Sequence, residues 1–188
     1  MQKGKGLILL SAHTGCWQMA PFTLAQHAPV PVTVLAHRER DDVDRQAHEH
    51  AGREPPYAII AAGSGPAATV SLAAALQRGE FVCMMGDRIF DPGEMGVLVA
   101  FLGGIVRLPV AAYRLASVCG VPLAVVFSLR TGPRRGELVI ADIMHVPGSL
   151  GKKGENYFPY AQRFADVLET FVRGHPYQFF NFYNLWEP

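Results

Sequence analysis

Short apolar segments alternate with amphipathic or charged segments, and this alternation is the feature that most constrains the fold. Strands are predicted for the apolar segments at residues 7–12, 32–36, 57–62 and 81–85. Helices are predicted at residues 15–27, 41–51, 66–78, 108–119 and 157–173. Almost wholly apolar strands separated by helices are typical of a largely parallel sheet covered on both faces. We expect an α/β fold, with residues 121–128 and 137–143 adding a strand pair that makes the sheet mixed.

Length and charge limit the other classes of protein. The chain has 188 residues, of which 49% are hydrophobic and 18% charged, so it can bury a real core and form one domain over residues 1–188. The formal net charge is only +1. A chain without an overall basic field is a poor binder of nucleic acid, and we expect no nucleic-acid partner.

The cysteines and histidines give no sign of a metal site. Cys16, Cys83 and Cys119 are odd in number and far apart, which excludes a disulfide framework and a paired-cysteine zinc site and predicts buried free thiols. His48 and His50 would lie on different faces of a helix, which suits joint metal binding poorly, so exposed histidines are predicted. The longest apolar run, residues 97–106, is about half the length of a membrane-spanning helix.

Polar residues that follow the predicted strands mark the candidate site, because ligands of such sheets bind beyond the carboxyl ends of the strands. His13 follows the first strand, and Asp87 and Arg88 follow the fourth. A helix N-terminus next to His13 would disfavour the imidazolium and keep the ring basic. His13 is therefore a candidate for proton transfer, with a purely structural histidine as the alternative.

Residues 9–18, with the sequence LLSAHTGCWQ, resemble the first motif of the bacterial lipid A biosynthesis acyltransferases, in the lysophospholipid acyltransferase superfamily. In that motif a strand is followed by a histidine, a small glycine turn, a tryptophan and an acid five residues after the histidine. The resemblance extends over nearly the whole chain. Its further segments are residues 34–38, ending in Arg38, then 76–88, 99–104, 107–116, 119–126 and the aromatic closing segment 179–186.

Two departures from the family pattern stand out. Gln18 occupies the place of the acid that holds the histidine tautomer. Its carbonyl oxygen can accept the ring N–H without supplying a charge, and Asp87 or Glu94 is an alternative acid. Family members also commonly carry an N-terminal membrane-anchoring region, and we expect residues 1–188 to lack it because the first strand begins almost at once.

The resemblance implies transfer of a fatty acyl group from an acyl carrier protein or coenzyme A thioester to a hydroxyl or amine of a lipid or glycolipid. His13 would be the general base and Gln18 its partner, with no further cofactor and no metal. The residues implied in substrate binding are Arg38, Asp87, Arg88 and Arg107. Residues 97–106 would line an acyl-chain groove or face lipid, with packing in the core as the alternative. A peripheral location on the cytoplasmic face of the inner membrane is expected.

Two other functions remain open from the sequence. Gln18 in place of an acid favours a catalytically weak lipid-binding module. The segment Gly63-Ser64-Gly65 before a predicted helix favours a nucleotide-binding enzyme. In a nucleotide site Asp87 would bond a ribose and face away from His13, whereas the acyltransferase reading places Asp87 or Arg88 in the cleft of His13.

Overall fold

A mixed six-stranded sheet forms the centre of the computed structural model, which describes residues 4–36, 55–62, 65–90 and 93–186. The strands of the chain are β1 (Leu7–Ser11), β2 (Val32–Ala36), β3 (Ala58–Ala61), β4 (Phe81–Met85), β5 (Gly96–Phe101), β6 (Gly104–Pro109), β7 (Pro122–Gly132) and β8 (Arg135–His145). The sheet order is β3-β2-β4-β1-β7-β8, and only the β7–β8 pair is antiparallel. Flanking helices complete the α/β fold, which confirms the predicted class.

Four helices flank the sheet in the described part of the chain: α1 (Ala20–His27), α2 (Pro66–Gln77), α3 (Ala111–Cys119) and α4 (Phe158–Gly174). Helix α4 shows how the sequence builds the core. Its buried residues are Ala161, Phe164, Ala165, Leu168 and Val172. Counted from the first of them, they follow the pattern i, i+3, i+4, i+7 and i+11, which puts them on one face of the helix. The predicted helix at residues 41–51 lies outside the described residues.

Two helices begin later than predicted. In the segment 15–27, a 3-10 turn over Trp17–Met19 precedes α1, and Pro21 lies in the first turn of that helix. Proline lacks the N–H that a helix interior needs but is tolerated in the first turn, so the helix begins just before it. In the segment 108–119, the first two residues close β6, and α3 begins only at Ala111.

Strands β5 and β6 form a separate antiparallel hairpin, which was not predicted. Its two-residue loop is Leu102-Gly103, with φ of 50° and 81°. Positive φ at both loop residues is typical of the tight turns that suit strand twist. Along β5 the buried residues Val97, Val99 and Phe101 alternate with more exposed ones. The run 97–106 is therefore half core and half surface, rather than a continuous groove lining.

The three cysteines are free thiols and are partly buried, not fully buried as predicted. Burial raises the pKa of Cys83 to about 12, so this thiol stays protonated at neutral pH. In the described part of the chain, the helices are all too short or too polar to cross a bilayer.

Candidate active site

The pairing of β1 with β4 places the first two site residues side by side. The strands run parallel, with Ser11 opposite Met85, and the backbone N–H of Gly86 donates to the carbonyl oxygen of Ser11 at 2.8 Å. His13 and Asp87 each lie two residues beyond these paired positions. The register of two apolar strands therefore brings a histidine and a carboxylate together at one edge of the sheet.

Asp87 holds His13 through both its backbone and its ring. Nδ1 of His13 lies 2.9 Å from Oδ1 and 2.9 Å from Oδ2 of Asp87, and the backbone N–H of His13 donates to Oδ2 at 3.2 Å. The Asp87 side chain is 1% exposed and that of His13 is 9% exposed. An ionised carboxylate only accepts hydrogen bonds, so the ring proton sits on Nδ1. Nε2 then carries a lone pair that can accept a proton.

The loop after His13 needs glycine at one position. Gly15 has a φ of 54°, and a Cβ atom there would overlap the carbonyl group of Ser128 within the neighbouring β7. The same strand fixes the next residue, because Ser128 Oγ accepts a hydrogen bond from the backbone N–H of Cys16 at 3.2 Å. The His13 loop is therefore packed directly against β7, which limits the movement of the ring.

Aromatic rings border the imidazole. Trp17 lies edge-on to the His13 ring with centroids 4.6 Å apart, and Phe90 lies 6.5 Å away. Phe90 is about half exposed, so this side of the site is apolar and opens toward the surface. An apolar rim next to a base suits an acyl chain better than a strongly hydrated substrate.

Arg88 links the acid to the C-terminal segment. Its Nη2 donates to the carbonyl oxygen of Phe180, and its Nε lies 3.8 Å from Oδ2 of Asp87 without a hydrogen-bond partner. The guanidinium also stands 5.6 Å from the ring centre of Tyr183. Burial raises the pKa of Tyr183, with Asp87 adding to the rise and Arg88 opposing it. Arg88 therefore lies next to the Asp87 carboxylate and also contacts the C-terminal segment at Phe180 and Tyr183.

Residues 176–186, which we call the aromatic strap, cross the site. The backbone N–H of Phe180 donates to the carbonyl oxygen of His13 at 2.8 Å, and Thr14 forms an isolated bridge with Phe179. At the far end, the Trp186 indole donates to the carbonyl oxygen of Phe101 at 3.2 Å. The sequence offered one sign of this segment, its dense aromatic run, but no periodicity that would place it on the site.

Gln18 does not have the position that the sequence analysis gave it. It lies exposed in the 3-10 turn, and it makes no hydrogen bond to His13. The reason is that Asp87 already occupies Nδ1 of the ring. Of the two acids considered as replacements for the family acid, Asp87 is the one whose contact with His13 the structure records.

The remaining predicted binding residues lie elsewhere. Arg107, on β6, lines a cavity of about 520 Å³ together with Glu155 and Phe158, and neither His13 nor Asp87 lines it. Arg38 lies outside the described residues, as do Gly63, Ser64, His37, His48 and His50. Gly65 is described and precedes α2. Within the described ranges, no cluster of histidine, cysteine or acidic side chains has the arrangement of a metal site.

The orientation of Asp87 distinguishes the acyltransferase interpretation from the nucleotide-binding one. The nucleotide interpretation required its carboxylate to face away from His13, and both of its oxygens instead contact the ring. In this arrangement a buried acid orients a histidine. The histidine can then accept a proton from a nucleophile.

Comparison with known proteins identifies the family of the chain. A search of curated proteins gave no match. The family model described as bacterial lipid A biosynthesis acyltransferase matches residues 1–187, nearly the entire chain. This match confirms the resemblance seen in the motifs, and the chain belongs to the bacterial lipid A biosynthesis acyltransferase family.

Proposed function

We propose that this protein transfers a fatty acyl group from an acyl thioester to a hydroxyl or amine of a lipid or glycolipid, with His13 as the general base. The observation that supports this most directly is the 2.9 Å contact between Nδ1 of His13 and the buried Asp87 carboxylate. The contact leaves Nε2 free to accept a proton. Family membership supports an acyltransferase, and the pair of side chains supplies a chemical means.

The proposed reaction needs no covalent intermediate on the protein. Nε2 of His13 takes the proton of the acceptor O–H or N–H as the acceptor attacks the thioester carbonyl carbon. The tetrahedral intermediate collapses by breaking the C–S bond, and the imidazolium returns its proton to the leaving thiolate. Asp87 stabilises the imidazolium while it exists and keeps the ring in one tautomer. Base catalysis of this kind contributes about a hundredfold to ten-thousandfold in rate.

The arginines have different proposed roles. Arg88 is a positioning residue that supports Asp87 and holds the aromatic strap through Phe180. Arg107 suits the phosphate or headgroup of a substrate, because its cavity combines a guanidinium with the apolar Leu98 and Phe158. We assign Arg38 to headgroup binding on the basis of the family motif alone.

The donor is an acyl carrier protein or coenzyme A thioester, and no further cofactor or metal takes part. The acceptor is a membrane lipid, so we place the protein at the cytoplasmic face of the inner membrane as a peripheral protein. Gln18 no longer favours a catalytically weak lipid-binding module, because a charged acid, Asp87, holds the base.

The test is an acyl-transfer assay with purified protein. Labelled acyl-coenzyme A and acyl-acyl carrier protein are offered separately with a bacterial lipid A precursor in detergent, and labelled lipid is separated from free fatty acid. We expect labelled lipid with wild-type protein and at least a hundredfold less with His13→Ala. Release of fatty acid without labelled lipid would instead indicate a thioesterase. Saturable thermal stabilisation by NAD, NADP or FAD would favour the nucleotide-binding alternative.

A further inference from the structure

Three arginines lie in or next to the turn between β7 and β8, at the same edge of the sheet as His13: Arg130 near the end of β7, Arg134 in the turn and Arg135 at the start of β8. Because β7 runs parallel to β1, its carboxyl end reaches the edge at which β1 gives way to the His13 loop. Arg130, Arg134 and Arg135 are all exposed there, and Glu137 is the only acid in residues 130–137. We call these three residues the basic turn. It has the charge to attract an anionic surface beside the active site.

The basic turn is joined to the aromatic strap. Gln178 accepts a hydrogen bond from the backbone N–H of Arg130 at 2.7 Å and donates to the Arg130 carbonyl oxygen at 3.1 Å. The next residue toward the N-terminus, Tyr177, is 94% exposed, and Phe182 is 89% exposed. The strap has no charged residue over 176–186. Tyr177 is thus adjacent in the chain to the residue that bonds the basic turn, and Phe182 is exposed farther along the same strap.

Both groups are packed against the loop that carries the base. The backbone N–H of Gly15 donates to the carbonyl oxygen of Gln178 at 2.9 Å. On the other side, Gly136 approaches Cys16 so closely that a Cβ atom at that position would overlap its sulfur. Any partner that binds the turn and the strap would therefore lie next to the His13 loop, because both segments contact that loop directly.

We infer that the basic turn and the aromatic strap together dock on an anionic lipid bilayer. The arginines fit this occupant because a guanidinium binds a lipid phosphate through two parallel hydrogen bonds. Tyrosine, phenylalanine and tryptophan side chains partition into the boundary between headgroups and acyl chains. This inference rests on the proposed function for its purpose, since docking would deliver a membrane-borne acceptor to His13. The binding itself requires no catalysis.

Vesicle sedimentation with the purified protein tests the inference. The probes are phosphatidylcholine vesicles with and without phosphatidylglycerol, at low and high salt. Wild-type protein should bind the vesicles that contain phosphatidylglycerol, and salt should weaken that binding. Each arginine near an anionic surface contributes about fivefold to partitioning, so Arg134→Ala/Arg135→Ala should lose about twenty-five-fold. The double variant Tyr177→Ala/Phe182→Ala should lose about tenfold or more.

Matched control variants test whether vesicle binding depends on this particular surface. Lys152→Ala/Lys153→Ala removes the same charge from an exposed loop that follows β8, at the opposite edge of the sheet. Val118→Ser removes an exposed apolar side chain from α3. Both controls should bind vesicles as the wild type does. Equal losses in the controls and the surface variants, or binding of wild-type protein to neither vesicle, would overturn the inference.

The outcomes also separate this inference from the proposed function. His13→Ala should bind vesicles normally while losing transfer activity. Vesicle binding by a protein that transfers no acyl group would refute the proposed function and keep the docking surface. Acyl transfer in detergent by a protein that does not bind vesicles would support the proposed function and refute the docking surface. Binding of the basic turn to an acidic peptide, with no binding to vesicles, would replace the bilayer with a protein partner.

Discussion

Both carboxylate oxygens of Asp87 lie 2.9 Å from Nδ1 of His13, although the two residues are 74 positions apart in the chain. The pair is buried, so water does not compete for the ring nitrogen. Its geometry depends on the pairing of β1 with β4, which sets both residues two positions beyond the last paired strand residues. The chemistry that we propose is thus determined by strand register.

Replacing Asp87 with asparagine should lower kcat strongly while the protein stays folded. The amide has the same shape but lacks the charge, and its NH₂ group would favour the wrong ring tautomer. In the Ser-His-Asp proteases the equivalent change lowers kcat about ten-thousandfold, and we expect at least a hundredfold here. Turnover in acyl transfer and the thermal midpoint are measured together. The control is Asp142→Asn, which removes a partly buried carboxylate on β8 that is paired with Arg163. Wild-type kcat in Asp87→Asn would refute the role of Asp87.

Substitutions of Gln18 should have little effect. Its side chain is exposed, and Asp87 already occupies the ring nitrogen that Gln18 would otherwise orient. We expect kcat of both Gln18→Ala and Gln18→Glu within about twofold of wild type, the range of an exposed side chain without partners. Parallel steady-state assays of the two variants check this. A clear rise in Gln18→Glu would show that a neutral partner at this position limits the base.

Gly15→Ala should destabilise the protein by about 2–4 kcal/mol. The position has a φ of 54°, and its new methyl group would overlap the backbone of Ser128. Chemical denaturation measures the loss. Gly174→Ala is the control, because a Cβ atom there meets no other atom within 4 Å and Gly174 closes α4. Equal stability of the two variants would show that the loop adapts to a side chain.

A buried carboxylate far from the site gives a prediction about pH. Glu80 accepts hydrogen bonds of 2.6 Å from Thr33 Oγ1 and of 2.6 Å from Arg78 Nε. Burial raises the pKa of Glu80, but the bonds from Arg78 and Thr33 outweigh it and the net pKa is lowered. A lowered pKa stabilises the fold above the ordinary pKa of 4.5, and the contribution disappears as pH falls through the lowered value.

Glu80→Gln should therefore lose about 1–3 kcal/mol of unfolding free energy at neutral pH. Its deficit relative to wild type should shrink as the pH falls below about 4.5. Denaturation curves over a pH series measure this, with the exposed Glu137→Gln as the control. A deficit that is the same at every pH would indicate that the charge of Glu80 contributes nothing.

The sequence was sufficient where local patterns decide the outcome. β2 and β4 have the predicted bounds because apolar runs between turn residues define buried strands. The polar residues that follow β1 and β4 identified His13 and Asp87 as members of one edge of the sheet. The spacing of residues could not decide which side chain reaches Nδ1, so Gln18 was named as the partner although Asp87 holds the ring.

Features that depend on distant contacts were beyond the sequence patterns. The strap contacts His13 through Phe180, and no periodicity links residues so far apart. The β5–β6 hairpin was missed for a related reason. Its run 97–106 is apolar on both faces, so the sequence lacks the polar–apolar alternation that marks a half-exposed strand. The alternation is seen only in which side chains are buried in the structure.

The most direct test of the account is a double-mutant cycle in kcat for acyl transfer, with wild type, His13→Ala, Asp87→Asn and the double variant. If Asp87 acts only through the ring of His13, the double variant should be no slower than His13→Ala, which itself should be at least a hundredfold below wild type. Unchanged turnover in a folded His13→Ala protein, or losses that multiply in the double variant, would contradict a base at His13 that is held by Asp87.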